Sequence, residues 1–233
     1  MKLFDNCISK MEGLLEGLPV CAFDMEHCPK WPDEGKNQMI FQSDMAYELG
    51  GSNLEAISGI LLTDNEAVVP CDEILLYGQD LSELKEDISY ARIALVRVKN
   101  TQDMDSDALY QMIRRIDYTR YHVSPKGYMM RISAMNKREA VRIHKEALKE
   151  GLSIKGVGRL FCEAYHKHPE VEAVKLMFIT LPDFPYEETK KCLQKADDIT
   201  KTLDHLAKKV QMDCQTCKLK DVCEEVEALY KKE

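Results

Sequence analysis

The sequence predicts an α/β fold with some α+β character, in which helices cover a mixed β-sheet. Short apolar segments typical of strands dominate the first part of the chain, and segments with helical periodicity dominate the remainder. The two types also alternate towards the end, as in folds where strands and helices form separate layers. With 233 residues, the chain is long enough to bury a substantial core.

The N-terminal part, residues 1–38, is predicted to form a helix followed by an irregular linker. Between residues 1 and 18, apolar side chains recur at helical spacing and form a stripe suited to burial. Residues 21–36 are then interrupted by three residues that break regular structure, Pro29, Pro32 and Gly35. We therefore expect the main domain to begin at residue 39.

Six later segments have the apolar character of strands. They comprise residues 39–49, 56–62, 73–77, 88–98, 127–132 and 171–180. Two of them, 88–98 and 171–180, are almost continuously apolar, which is typical of strands that are covered on both faces. We expect these two strands to lie in the interior of the sheet.

The predicted helices of the main domain carry recognisable start signals. Asp105 or Ser106 is expected to cap a helix that ends near residue 120, Asn136 a helix over 137–150, and Ser153 a helix that ends near residue 166. A long charged helix is expected over residues 187–210. We predict one α/β domain over residues 39–210, followed by a cysteine-containing segment over 211–233 that ends in a short helix.

Composition narrows the classes of function. The formal net charge is -8 and the basic residues are scattered, which argues against a nucleic-acid partner. No apolar run approaches the length of about 20 residues that a membrane helix needs, and the N-terminus lacks the features of a secretory signal. We therefore expect a cytoplasmic protein without a membrane partner. Nine cysteines, an odd number, favour metal binding over disulfides in such a compartment.

The strongest chemical signal is a group of three cysteines near the C-terminus, Cys214, Cys217 and Cys223. A Cys-x-x-Cys turn can direct two sulfurs at one metal, either zinc or an iron–sulfur cluster. Both sites normally need four ligands, yet the ten residues after Cys223 include no Cys or His. The fourth ligand is expected from the fold, from a partner or from an exogenous group. The alternative is a degenerate site or a set of reduced thiols.

Two other groups of residues are weaker candidates. Cys21, His27 and Cys28 form a loosely spaced group that could provide the fourth ligand, although a structural role is favoured. Seven arginines lie between residues 114 and 159, and guanidinium groups suit bidentate phosphate recognition. The alternative, favoured by composition, is that these arginines belong to ordinary solvated faces. They are Arg114, Arg115, Arg120, Arg131, Arg138, Arg142 and Arg159.

Six stretches in sequence order resemble one known family, the acetyl-CoA synthase subunit of the CO dehydrogenase/acetyl-CoA synthase complex. They are residues 44–51 (DMAYELGG), 72–81 (DEILLYGQDL), 114–117 (RRID), 142–155 (RIHKEALKEGLSIK), 174–180 (VKLMFIT) and the segment 214–223. The resemblance implies a mixed α/β middle domain that leads into the start of the A-cluster domain.

In that family, the A-cluster is a [4Fe–4S] cluster bridged by a cysteine to a proximal nickel, and a Cys-Gly-Cys motif holds a distal nickel. There CO, a methyl group from a corrinoid protein and CoA become acetyl-CoA. The resemblance implies that Cys214 and Cys217 are the Cys-x-x-Cys pair, with Cys217 as the bridging thiolate, and that Cys223 is the third ligand. It also implies that Arg114 and Arg115 contact CoA phosphates.

The chain departs from the family in ways that bear on activity. It has no fourth cluster cysteine and no Cys-x-Cys for a distal nickel, and its one tryptophan, Trp31, precedes the resembling stretches. We therefore expect an acetyl-CoA synthase-like protein with an incomplete A-cluster site that is inactive as an isolated chain. Its expected partners are a corrinoid protein or subunits of the complex, and it could form an oligomer. The alternatives are a non-catalytic iron–sulfur or docking module for methyl transfer, or a structural zinc protein.

Overall fold

The chain folds around one eight-stranded sheet in the computed structural model, which describes residues 2–99, 101, 104–133, 138–208 and 217–230. The strands are β1 (Cys21–Asp24), β2 (Met45–Leu49), β3 (Ala56–Thr63), β4 (Glu73–Tyr77), β5 (Tyr90–Val98), β6 (Tyr128–Ser133), β7 (Arg138–His144) and β8 (Val171–Ile179). The helices are α1 (Asp5–Leu15), α2 (Ser106–Tyr118), α3 (Lys145–Lys149), α4 (Ile154–Tyr165), α5 (Tyr186–Ala207) and α6 (Lys220–Tyr230).

The sheet is mixed, as the sequence predicts. Its strand order is β1-β4-β8-β5-β3-β7-β2, and β6 pairs with β7 outside this path. The pairs β3–β5 and β4–β8 are parallel, whereas the other strand pairs are antiparallel. The prediction of an α/β fold with a mixed sheet and flanking helices is therefore confirmed.

The two strands predicted to be interior lie side by side in the middle of the sheet. β5 and β8 pair antiparallel, and each has a further neighbour on its other side. All residues of β5 are buried except Arg97, which is half-buried. This burial explains the continuous apolar run in the sequence, because helices cover both faces of these strands.

One face of the sheet is covered by α5 and α1. Gly59 of β3 lets α5 approach closely, since a Cβ at this position would lie 2.5 Å from a methyl group of Leu193. Through β5, Gly59 is in register with Met177 of β8. Met177 and Met11 of α1 line the same shallow cavity, which places α1 on this face as well.

The opposite face is covered by α4. Gly158 of this helix lies against Ile74 of β4, whose methyl groups would be 2.9 Å from a Cβ at the glycine. Ile74 is in register with Leu176, which precedes Met177 in β8 and therefore faces the other way. Ser153 caps α4 as predicted, because its side chain accepts a hydrogen bond from the Gly156 N–H. Of the two cap candidates for α2, Asp105 is the one that caps it.

The prediction of a helix over residues 137–150 is wrong for most of this range. Residues 138–144 form β7, which pairs with β6 on one side and with β2 and β3 on the other, and only Lys145–Lys149 is helical. The strand alternates, with Val141 and Ile143 fully buried. Three neighbouring strands satisfy its backbone, so tertiary pairing overrides a local pattern that also fits a helix.

The N-terminal residues take part in the same architecture. The segment expected to be an irregular linker contains β1, which pairs antiparallel with β4, and a short 3-10 helix, Met25–His27. The predicted first helix is present as α1, and it buries Cys7, Ile8, Met11 and Leu15. None of the helices in the described part of the chain is long and apolar enough to span a membrane.

Candidate functional site

Two of the three C-terminal cysteines lie at the beginning of α6. Cys217 precedes the helix by three residues, and Cys223 occupies its first turn. Both side chains are partly exposed. The Leu219 N–H donates to the Cys217 Sγ over 3.4 Å, and the Cys223 thiol donates to Glu227 over 3.8 Å. Cys214, the third predicted ligand, lies outside the described residues.

The donor type in this segment suits a soft metal centre, but the number of donors falls short. Thiolates are ligands of zinc and of iron–sulfur clusters, and both normally take four protein ligands. Within the described residues, no group of three or more Cys, His, Asp or Glu side chains is arranged to hold a metal ion. The described cysteines therefore do not make a complete metal site by themselves.

The group that was considered as a source of a fourth ligand has other partners. The Cys28 thiol is buried and donates to the Asp24 carbonyl over 3.3 Å. Burial raises the pKa of this thiol, which disfavours the thiolate form that binds metal. The exposed His27 Nδ1 lies 3.3 Å from the Asp24 carboxylate. Cys28 therefore has the environment of a structural cysteine.

The first arginine pair, Arg114 and Arg115, lies near the end of α2, and about half of each side chain is exposed. Arg114 Nη1 is 3.5 Å from Asp117, and Arg115 Nη2 is 2.5 Å from Glu170. Each guanidinium group therefore already faces a carboxylate. An anionic ligand at this position would compete with both.

Three other arginines meet on the strands β6 and β7. Arg131 and Arg142 both pair with Glu48 of β2, while Arg138 donates to the carbonyl oxygens of Gly50 and Ser52. Their described partners differ from those of Arg114 and Arg115. The fold thus brings the strand arginines together, and the assignment of Arg114 and Arg115 to CoA stays a prediction.

The part of the fold that carries these arginines matches a known protein family. Residues 29–183 match the family described as CO dehydrogenase/acetyl-CoA synthase complex beta subunit, which is more than half of the chain. The chain belongs to this family. No curated protein matches it.

The beta-subunit match includes five of the six stretches that resemble the family, and both sets of arginines. It ends at residue 183, before α5, so the segment 214–223 lies beyond it. The family membership of this chain therefore depends on strands β2 to β8 and helices α2 to α4. The cysteine assignment depends on the resemblance alone.

Trp31 lies inside the range that matches the beta-subunit family, although it precedes the stretches on which the resemblance was based. Its indole N–H donates to the Lys126 carbonyl over 2.9 Å. A Cβ added at Gly156 would be 3.1 Å from the Trp31 Cβ, which shows how closely the two segments pack. Trp31 thus joins the segment before β2 to the start of α4 and to the loop before β6.

One buried cluster of this family member was not predicted from the sequence. Arg92 of β5 binds Glu139 of β7 with two hydrogen bonds, and its guanidinium group lies 3.9 Å from the ring centre of Phe161. Beside this pair, the hydroxyl groups of Tyr90 and Tyr128 are 2.5 Å apart. The available signal was an arginine within a continuously apolar strand, since a charge is buried only when it is paired.

Proposed function

We propose that this protein is an acetyl-CoA synthase-like component of the CO dehydrogenase/acetyl-CoA synthase system that does not complete acetyl-CoA synthesis by itself. The proposal rests chiefly on one observation, the family match across strands β2 to β8 and helices α2 to α4. In the resembled family, acetyl-CoA is assembled from CO, a methyl group and CoA. The proposed role is to support that assembly together with other subunits.

The cysteine content of these 233 residues supports the non-catalytic part of the proposal. A Cys-x-Cys motif chelates one metal through two neighbouring sulfurs, and this sequence contains none. These residues therefore contain no ligand pair equivalent to the one that holds the distal nickel in the resembled family.

We further propose that Cys214, Cys217 and Cys223 hold a [4Fe–4S] cluster whose fourth ligand comes from a partner. Cys217 and Cys223 are partly exposed, which permits a shared site. The Leu219 N–H that donates to Cys217 Sγ resembles the hydrogen bonds that tune cluster thiolates. A bound cluster would supply an electron-transfer or substrate-holding centre, and zinc is the alternative metal.

Reconstitution under anaerobic conditions tests the cluster. Protein is treated with iron and sulfide, and the absorption spectrum and the bound iron and zinc are measured. We expect a cluster chromophore in the wild type, a much weaker one in Cys217→Ala, and no change in Cys71→Ala, which removes an exposed cysteine outside the segment. Equal chromophores in all three proteins would overturn the assignment of Cys217. Zinc without iron would support the structural alternative instead.

A docking role is favoured by a separate observation. Met39 and Phe41 expose 68% and 65% of their surface, and both lie in the range that matches the family. Ile40 between them is buried, and its carbonyl accepts a hydrogen bond from Arg142 over 3.0 Å, so the backbone is held while its two apolar neighbours face outward. We propose that this pair contacts a subunit of the complex or a corrinoid protein.

The docking role is tested by binding assays with the purified candidate partners. The double substitution Met39→Ser and Phe41→Ser is expected to weaken complex formation at least tenfold, because exposed apolar anchors dominate small interfaces. Val20→Ser, which replaces another exposed apolar residue that lies outside the matched range, serves as the matched control. If both proteins bind partners as the wild type does, the docking surface is elsewhere.

A further inference from the structure

Three guanidinium groups project from one face of the sheet, in the part formed by β6, β7 and β2. Arg138 and Arg142 are four residues apart in β7 and therefore face the same way, together with Ala140 between them. Arg131 of β6 is directly opposite Ala140, so it shares this face. Glu48 of β2 is opposite Arg142 and shares it as well.

The charges on this face do not balance. Glu48 is buried and faces both Arg131 and Arg142, whose Nε is 3.5 Å from one of its oxygens. Arg138 instead donates to two backbone carbonyl oxygens, each at 2.7 Å. Among the described residues, this face thus carries three guanidinium groups and one carboxylate, which forms ion pairs with two of the three. The buried Nε of Arg142 also has no hydrogen-bond partner in the described part of the chain.

A cavity opens beside these groups. It has a volume of ≈ 420 Å³, and the loop of residues 50–52, Arg131, Ser133 and Arg138 contribute its polar lining. The described lining includes two serine hydroxyl groups and no carboxylate. The cavity therefore combines positive charge with uncharged hydrogen-bond donors.

The loop that forms one wall has an unusual backbone. Ser52 has a φ of 49°, and among the described residues it is the one non-glycine residue with positive φ, while Gly50 has a φ of 63°. The N–H groups of Gly51 and Ser52 donate no hydrogen bond to any described residue. Loops whose successive N–H groups point into a concave surface form anion-binding sites, and strained residues often cluster where ligands bind.

Close packing keeps this loop in place. A Cβ at Gly51 would lie 2.9 Å from a carboxylate oxygen of Glu48, so a larger residue would push the loop away from the arginines. On the other side, Arg138 holds the carbonyl oxygens of Gly50 and Ser52. Arg138 thus binds two carbonyl oxygens of the loop. The N–H groups of Gly51 and Ser52 remain free to donate to a ligand.

We propose that this cavity is a binding site for the phosphate group of a small ligand. The two excess positive charges match the charge of a phosphate monoester at neutral pH, about -1.5 to -2, better than the single charge of a carboxylate. Arginine forks and backbone N–H groups are also the donors that phosphate oxygens accept from. The site is separate from Arg114 and Arg115, and it does not depend on a metal at the C-terminal cysteines.

Inorganic phosphate is the probe for this site, and acetate is the comparison ligand. The backbone amide signals of Gly51 and Ser52 are followed by nuclear magnetic resonance at low ionic strength, where charge interactions are least screened. We expect both signals to shift with phosphate at millimolar concentration and to shift much less with acetate. No shift in the wild type and in Glu48→Gln would overturn the proposal, and equal affinity for acetate would overturn the choice of phosphate.

Two substitutions with opposite expected effects separate binding from folding. Arg131→Gln is expected to weaken phosphate binding about tenfold, because it removes one charged donor. Glu48→Gln is expected to strengthen binding several-fold, because it removes the carboxylate that competes with the ligand, and a folding defect would not produce a gain. Lys149→Gln, which removes an exposed cation elsewhere, is expected to change nothing. Equal losses in Arg131→Gln and Lys149→Gln would reduce the effect to net charge and contradict the proposal.

Discussion

Arg92 and Glu139 form a fully buried ion pair that joins β5 to β7 across β3. The Arg92 Nε is 2.9 Å from one oxygen of Glu139, and its Nη2 is 2.6 Å from the other. The two side chains are 1% and 0% exposed. Burial lowers the pKa of Arg92, but Glu139, together with Tyr165 and Tyr90, raises it, and the net shift is upward. Arg92 therefore stays charged within the core.

Breaking this pair is expected to destabilise the protein strongly. Glu139→Gln leaves a buried guanidinium group without its counter-charge, which costs about 3–5 kcal/mol of unfolding free energy in comparable pairs. The double variant Arg92→Met and Glu139→Leu removes both charges and is expected to recover most of that loss. Urea denaturation measures both values. A double variant that is less stable than Glu139→Gln would show that the unpaired charge is not the main cause of the loss.

The close approach of α5 to the sheet gives a second prediction. Gly59→Ala places a methyl group 2.5 Å from a side-chain carbon of Leu193, which is itself buried. We expect a loss of about 1–3 kcal/mol, as for other cases of overpacking in a core. The matched control is Gly13→Ala within α1, where a Cβ meets nothing within 4 Å. This control is expected to gain about 0.5–1 kcal/mol from helix propensity. Thermal denaturation of the two variants should therefore shift in opposite directions.

His168 predicts a pH dependence of stability. Its Nε2 is 2.6 Å from the Thr119 hydroxyl, and burial, with a smaller contribution from Arg115, lowers its pKa below the ordinary value of 6.5, although Glu170 opposes the shift. The unfolded chain therefore binds this proton more readily than the folded one. The contribution of His168 to the free energy of unfolding is fully present above about pH 6.5, and it is lost as the pH falls from there through the lowered pKa.

Substitution isolates the contribution of this histidine. In His168→Gln the part of the stability loss that His168 causes between pH 7 and about 5.5 is expected to disappear, since carboxylates titrate mostly below that range. His27→Gln removes an exposed histidine and is expected to keep the wild-type slope. The measurement is the free energy of unfolding in urea across this pH range. Identical slopes in wild type and His168→Gln would show that another group titrates.

The proposed contact of Arg114 and Arg115 with CoA leads to a binding prediction. Because Asp117 and Glu170 already pair with these guanidinium groups, CoA is expected to bind weakly. Glu170→Gln frees Arg115 and is expected to increase the affinity several-fold, whereas Arg115→Gln is expected to reduce it about tenfold. Isothermal titration with CoA measures the change, and Lys126→Gln is a control for charge at an exposed cation elsewhere. No heat with Glu170→Gln would exclude this role for the pair.

The central strands could be predicted from their continuous apolar runs alone. Residues that form β5 and β8 are buried from both sides, so each carries an apolar run that needs no knowledge of its neighbours. Ser153 likewise marks the start of α4, because a capping side chain acts on the backbone three residues away. These features depend on local physical chemistry, which is why they are visible in the sequence.

The identity of β7 could not be decided locally. Its charged and apolar residues fit a helix face and an alternating strand almost equally well, and the choice depends on the partners β2, β3 and β6. Two of these partners come from much earlier in the chain. A period of two also decides which side chains share a face, so the meeting of Arg131, Arg138 and Arg142 became visible only with the pairing register.

The ion-pair partners of the arginines show most clearly which features the sequence determines and which depend on tertiary structure. The sequence established that the middle of the chain is rich in arginine, that its fold is a mixed α/β sheet and that three cysteines cluster near its end. Which arginines are neutralised was decided by tertiary structure, because Glu139, Glu48 and Glu170 lie 47 or more positions from their partners along the chain. Electrostatic energy depends on distance in space and on burial, and neither quantity is a property of a residue and its sequence neighbours alone.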